Sequence, residues 1–343
     1  MAESRQLEAQ LRETAEKLLR EKNVSLFVGY EKASLPFRTT PLLLTKTEEA
    51  PRLVWNPFCN ANLSVYLPRL FLAPADARAA KAAPAPPRVG VVLKGCDSRA
   101  VAVLLQEKQV RRENLVLVGI HCPGIVDRRK AEKALGEHQA LGAGEDGGGN
   151  IRVVVEDGTE STLRREDVLA DACLECRSPA PALHDILLGA PGEAARTGTA
   201  RPGTARTRTA EFESRPLEAR WAGFQEVIAR CIRCNACRQA CPLCYCKTCI
   251  FEQNRPRWIG PGTDPSDLAL YHLIRAFHLA GRCTECGACE RACPMGIDVR
   301  LLARKLSAEV EDLYGYRPGE SVEATPVLSS FALDDPQDFV TEP

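Results

Sequence analysis

The chain alternates short apolar blocks with long polar stretches, and most blocks carry a period. From Leu7 to Lys22, the residues Leu7, Leu11, Ala15, Leu18 and Leu19 recur at helical spacing and predict an amphipathic helix with one apolar side. A short apolar run, Val24–Val28, is followed by an irregular region that reaches Trp55, Asn56, Pro57, Phe58 and Cys59. Ala73–Pro87 is rich in Ala and Pro and reads as a surface excursion. Arg88–Leu93 then reads as a β-branched strand, Asp97–Gln109 as a helix through Val101, Leu104 and Leu105, and Leu115–Ile120 as a second strand. That order predicts two parallel strands joined by a crossover, the core of an α/β domain. Cys96 and Cys122 each fall just beyond the carboxyl end of a strand, where open α/β sheets collect ligands.

Further along, Gly142–Asn150 reads as a glycine-rich loop, Ile151–Glu156 as a strand and Leu188–Glu213 as an aperiodic Gly/Ala/Thr/Arg linker. Leu217–Ile232 and Leu268–Ala280 read as helices, each leading into a dense run of cysteines, so this half of the chain contains an internal repeat. Asp298–Tyr314 reads as a last helix. The expected division is an α/β domain over 1–187, a flexible linker over 188–215, an α-rich two-cluster ferredoxin domain over 216–319, and an acidic tail over 320–343 lying on a partner.

Composition narrows the chemistry. With 343 residues and 45% hydrophobic content the chain can bury a core. The 45 Lys and Arg balance the 45 Asp and Glu, so no net charge steers it onto nucleic acid or an anionic membrane. There is no apolar stretch of roughly 18 residues to span a bilayer, and no apolar leader at the N-terminus, which together predict a cytoplasmic protein. Sixteen cysteines in a reducing compartment point to metal ligation rather than disulfides.

Cys231, Cys234, Cys237 and Cys241 before Pro242 have the spacing C-x2-C-x2-C-x3-C-P, and Cys283, Cys286, Cys289 and Cys293 before Pro294 repeat it. This is the bacterial ferredoxin run, in which three thiolates of one tight loop hold one [4Fe–4S] cubane and the fourth reaches the neighbouring cubane. Crossed ligation is therefore expected: Cys231, Cys234, Cys237 and Cys293 on one cluster, and Cys283, Cys286, Cys289 and Cys241 on the other. Zinc ribbons also use C-x-x-C pairs, but they need two pairs, not two complete quartets each ending in Cys-Pro.

Eight cysteines remain, enough for two more clusters and so up to four in all. Cys173 and Cys176 form a C-x-x-C pair expected to meet Cys96 and Cys122 over the sheet. Cys244, Cys246 and Cys249 need a fourth thiol, for which Cys59 is left. The alternative for these eight is burial as inert thiols. Gly142, Gly144 and Gly147 match G-x-G-x-x-G, but they do not directly follow a strand and they enclose Glu145 and Asp146, which would repel a pyrophosphate. Cys237, Cys241 and Cys244 match the radical S-adenosylmethionine spacing by overlap with the ferredoxin run. The five histidines form no ligand spacing, and no Ser-His-Asp set, P-loop or carboxylate pair supports side-chain catalysis.

Three segments in order carry a family resemblance: Lys94-Gly95-Cys96-Asp97-Ser98-Arg99, then Gly119-Ile120-His121-Cys122, then Cys173-Leu174-Glu175-Cys176 with Asp185-Ile186-Leu187-Leu188-Gly189 after it. In these the chain resembles the coenzyme F420 hydrogenase/dehydrogenase β-subunit family and its bacterial iron–sulfur relatives, from about Val28 to Tyr314. The resemblance implies a cluster near a flavin such as FAD, in a subunit passing electrons among formate dehydrogenase, hydrogenase, heterodisulfide-reductase or flavoprotein partners. One departure bears on the flavin. Where flavin-binding members have a Ser-Gly-Gly turn, this chain has Phe58-Cys59-Asn60-Ala61-Asn62, which lacks the glycines that let a backbone approach a pyrophosphate. Cys59 is expected instead to ligate a cluster. The resulting expectation is an electron-transfer subunit. Its rival is a flavin-bearing subunit acting on F420, NAD(P) or another two-electron carrier.

Overall fold

In the computed structural model, residues 2–71, 86–189, 204–331 and 333 are described. The first helix, α1 (Ala2–Arg20), lays Leu11, Ala15, Leu18 and Leu19 on the core. Two strands follow, β1 (Leu26–Lys32) and the antiparallel β2 (Thr39–Leu44). Beyond them come β3 (Val89–Leu93), α2 (Gly95–Gln106) and β4 (Leu115–Ile120). β4 runs parallel to β3, with Val89 opposite Leu115 and Leu93 opposite Gly119. A last short strand, here β8 (Ile186–Leu188), closes the sheet in the order β2-β1-β3-β4-β8, and only the β1–β2 pair is antiparallel. Every residue of β3 and β4 is buried, as expected for parallel strands covered on both faces.

The crossover predicted from the sequence is present. Between β4 and β8 the chain adds α3 (Arg128–Leu135) and an antiparallel sheet of β5 (Ala140–Glu145), β6 (Ile151–Val155) and β7 (Glu160–Leu163). The expected Gly142–Asn150 loop is therefore half strand: Gly142 and Gly144 lie in β5, and only the turn after Glu145 is irregular. Ala73–Pro87 lies almost wholly outside the described residues, as do 190–203 of the expected linker. The rest of that linker differs from expectation. Thr204–Glu213 is a helix, α4, that packs on the last long helix, with Glu213 paired to Lys305.

The C-terminal part is α-rich: α5 (Leu217–Ala229), α6 (Ala236–Gln239), α7 (Pro265–His278), α8 (Ala288–Ala292) and α9 (Leu301–Tyr314). It packs against the sheet domain, since Leu243 and Leu279 join the same buried cluster as β1, β3 and β4. Arg300 reaches across to Glu175 at 2.6 Å, both side chains under 5% exposed, and Arg177 pairs with Glu311 at 2.7 Å. The start of the acidic tail lies on its own chain, where the Ser321 and Ala324 carbonyls accept from the Gln106 amide at 3.0 and 2.6 Å.

Glycine is required at two close approaches, Gly287 where the parts dock and Gly95 inside the sheet domain. A Cβ on Gly287, which has φ +68°, would come within 2.5 Å of the Ala172 Cβ. One on Gly95 would run into the Ser178 carbonyl oxygen. Replacing Gly95 with Ala must displace the 176–180 loop, so Gly95→Ala is expected to lower stability by about 1–3 kcal/mol, the scale of overpacking. Thermal unfolding checks this, and an unchanged midpoint contradicts it.

Candidate metal centres

The parallel register brings the ends of β3 and β4 side by side, and with them Cys96 and Cys122. The helical turn Asp171–Leu174 delivers Cys173, with Cys176 just after it. These four thiols line one cavity, and the ferredoxin part adds Thr284, Cys286, Arg291 and Arg300 to its wall. Backbone amides already face two of the sulfurs: Ile125 N–H donates to Cys173 Sγ at 3.3 Å and Ser178 N–H to Cys176 Sγ at 3.4 Å. Burial, then the neighbouring Cys173 thiol, pushes Cys122 up to about 12. Burial first, then Asp97 and Cys286, raises Cys96 well above its ordinary value. Buried thiols of this kind give up their protons when a metal supplies the opposing charge.

Beneath them lies a polar network that the sequence reading left out. Lys94 is 1% exposed and pairs with the fully buried Asp97 at 2.8 Å; it also meets the Tyr30 hydroxyl and the Ala61 carbonyl, the latter at 2.8 Å. Burial favours its neutral form, but Asp97 and then Tyr30 hold Lys94 well above its usual range, so it remains charged beside Cys96 and Cys122.

In the ferredoxin part the repeat extends to the backbone. Arg233 and Asn235 in the first run and Glu285 and Gly287 in the second all have φ between +52° and +68°, at matching positions after the leading cysteine. Three of the four are not glycine, so the left-handed conformation costs roughly 1–2 kcal/mol at each. Charges from one run bear on the thiols of the other. Besides its own loop, Cys231 feels Cys293; Cys283 feels Cys241 after Glu285 and Cys289, and Cys289 feels Cys241 after Arg275. Among the described residues no three His, Cys, Asp or Glu groups close on a single ion. In a cubane each thiolate serves its own iron, so its ligands need not converge on one point.

The fourth expected set does not assemble. Cys244, Cys246 and Cys249 line a second, open cleft with Arg238, Arg275 and Arg282, but Cys59 is absent from its lining. Cys59 is fully buried in its own loop, where Sγ accepts from the Asn56 N–H at 3.5 Å, and burial raises it to about 11. Its charged neighbours are Lys94 and Glu8. The 54–59 turn folds back on itself and keeps the thiol, and nothing in the periodicity signals that. Cys244 instead stands beside Cys241, its N–H donating to the Cys241 carbonyl at 3.2 Å, and the influence of one thiol on the other lowers Cys244 and raises Cys241.

Iron–sulfur clusters suit the donors around these thiols. Arg99, Thr284 and Arg291 line the first cavity, and their Nη2, Oγ1 and Nε atoms are buried with no hydrogen-bond partner among the described residues. Orphaned buried donors of this kind are costly unless an acceptor such as cluster sulfur is present. The flavin fits less well. In the 58–62 turn the amides of Phe58, Cys59 and Asn60 are already used by Asn56 and Phe58, so these three are not offered to a pyrophosphate.

These quartets define an iron–sulfur protein of the electron-transfer class. A 4Fe–4S dicluster domain model matches residues 226–297. Among characterised relatives, the chain is 22% identical to the F420-dependent formate dehydrogenase subunit beta of Methanocaldococcus jannaschii, over 71% of this chain and 76% of that one. It is 23% identical to F420-dependent formate dehydrogenase 1 subunit beta of Methanococcus maripaludis, over 70% and 75%. A chain of the F420-reducing [NiFe] hydrogenase complex of Methanosarcina barkeri superposes over 50% of this chain and 57% of its own, with 13% identity and a TM-score of 0.35, too low to imply a shared fold. No helix among the described residues is long and apolar enough to cross a membrane.

Replacing Lys94 with Met leaves Asp97 as an uncompensated buried charge. Lys94→Met is expected to cost about 3–5 kcal/mol. Denaturant unfolding measures it, and a loss under 1 kcal/mol contradicts the network.

Proposed function

We propose that this chain is the electron-relay subunit of a cytoplasmic oxidoreductase complex, of the formate dehydrogenase or hydrogenase kind, and that it carries three [4Fe–4S] clusters in a row. The ligand sets are Cys231, Cys234, Cys237 and Cys293; then Cys283, Cys286, Cys289 and Cys241; then Cys96, Cys122, Cys173 and Cys176. One observation carries the reading: Cys286, a ligand of the middle set, lines the cavity that holds the third, and its charge bears directly on Cys96. Bound clusters supply one-electron chemistry. The protein supplies spacing, burial and N–H donors to sulfur, which set each potential.

A second reading, a subunit that also binds a two-electron carrier, is favoured by an open cleft beside the 60–62 turn. Arg38, Arg128, Arg129 and Arg291 line it, and Arg291 also lines the third cluster's cavity. An anionic carrier held there would stand next to the relay.

Iron and flavin analysis of anaerobically purified protein separates the readings. The relay is expected to hold about twelve irons per chain without flavin. Cys122→Ser together with Cys173→Ser is expected to remove about four irons, and Cys59→Ala none. Stoichiometric flavin selects the second reading, whereas eight irons that survive the double substitution refute the third cluster.

A further inference from the structure

Two arginines, Arg275 buried and Arg291 half-buried, stand at the junctions between these thiol groups, not within any one of them. Arg275, on α7 and 5% exposed, donates to the Cys237 carbonyl at 3.1 Å. Its charge faces Cys289, Cys241, Cys237 and Cys244, so it bears on both ferredoxin groups. Arg291, between Cys289 and Cys293, donates to the Cys286 carbonyl at 2.9 Å and to the Asn60 carbonyl at 2.8 Å. Its charge faces Cys173 and Cys96 of the sheet group and Cys286 and Cys289 of the middle group. The Nε of each is buried and has no partner among the described residues. A guanidinium stays charged at any working pH, and burying one is costly unless negative charge compensates it. Among their neighbours that charge would come from the cysteines once they ligate a cluster as thiolates.

We propose that Arg275 and Arg291 are positioning residues of the electron path, one fixed cation at each junction, raising the potentials of the two clusters it separates and donating N–H to their sulfur. This rests on the three-cluster reading. Adding an electron adds one negative charge to a cluster, so a cation shared by two neighbours favours the reduced form of both and keeps their potentials close. An electron then crosses each junction without a large uphill step. Arg291 also ties the ferredoxin part to the 58–62 turn, so charge and distance are set by one side chain.

The test is an anaerobic redox titration of the full chain, followed by electron paramagnetic resonance, for Gln and Lys substitutions at each position. Arg291→Gln is expected to shift the reduction equilibria of the sheet and middle clusters downward by about tenfold, ~59 mV for one electron, leaving the first cluster unchanged. Arg275→Gln is expected to lower the first and middle clusters and spare the sheet cluster. Arg→Lys keeps the charge and is expected to recover most of each shift. Unchanged potentials in Gln variants that retain their iron overturn the proposal, and so do Lys variants that fall as far as Gln. If the Gln variants lose iron, the Lys variants decide, since wild-type potentials support the charge role and lowered ones refute it. Wild-type protein with only eight irons removes the sheet cluster and the claim for Arg291 with it, while Arg275 is still judged on the two remaining clusters.

Discussion

Arg300, 3% exposed, holds Glu175 at 2.6 Å and Glu290 at 3.2 Å, and this buried triad clamps the ferredoxin part onto the Cys173–Cys176 loop. A buried ion pair contributes little net stability against apolar alternatives, but removing one member is costly, so the triad acts mainly to fix geometry. Glu175 lies between two expected cluster ligands, and Glu290 directly follows Cys289. The same contact therefore sets where the sheet thiols lie relative to those of the ferredoxin runs. Gly287 allows the approach, and Arg291 spans the remaining gap.

Fixed charge is the recurring device. The sheet cavity has Lys94 and Asp97 beneath it, Arg99 and Arg291 in its wall, and thiols that burial holds in their protonated form. The ferredoxin runs have Arg275 between them. Such surroundings suit anionic clusters and explain why so many arginines lie inside a chain with no net charge. They also explain the left-handed residues in the loops, since backbone strain persists where the surrounding structure over-determines it.

Much of this was legible in the sequence because ligand spacing and apolar runs are local. The two quartets announce themselves, and the β3–α2–β4 crossover follows from strands buried on both faces. Cys96 and Cys122 could be placed side by side because strand ends in a parallel sheet are neighbours, whereas the helical turn that brings Cys173 and Cys176 to the same cavity had no local signal. β2 was hidden by Pro41 and by the unbroken Leu42-Leu43-Leu44 run, in which an exposed Leu43 masks the alternation, and β5 by its glycines. α4 was obscured because Thr and Arg dominate its sequence. Cys59 went astray for a different reason, since its place is decided by a loop that hydrogen-bonds its own thiol. The arginines read as solvated charges between cysteines until the packing of two distant segments buried them.

Quantitative electron paramagnetic resonance on the fully reduced protein tests the central claim most directly. Three clusters held in a row in one packed chain predict three spins per chain, with signals split by magnetic coupling between neighbours. Two spins, or a third whose signal is unaffected by the others, would contradict a continuous relay from the ferredoxin runs to the sheet.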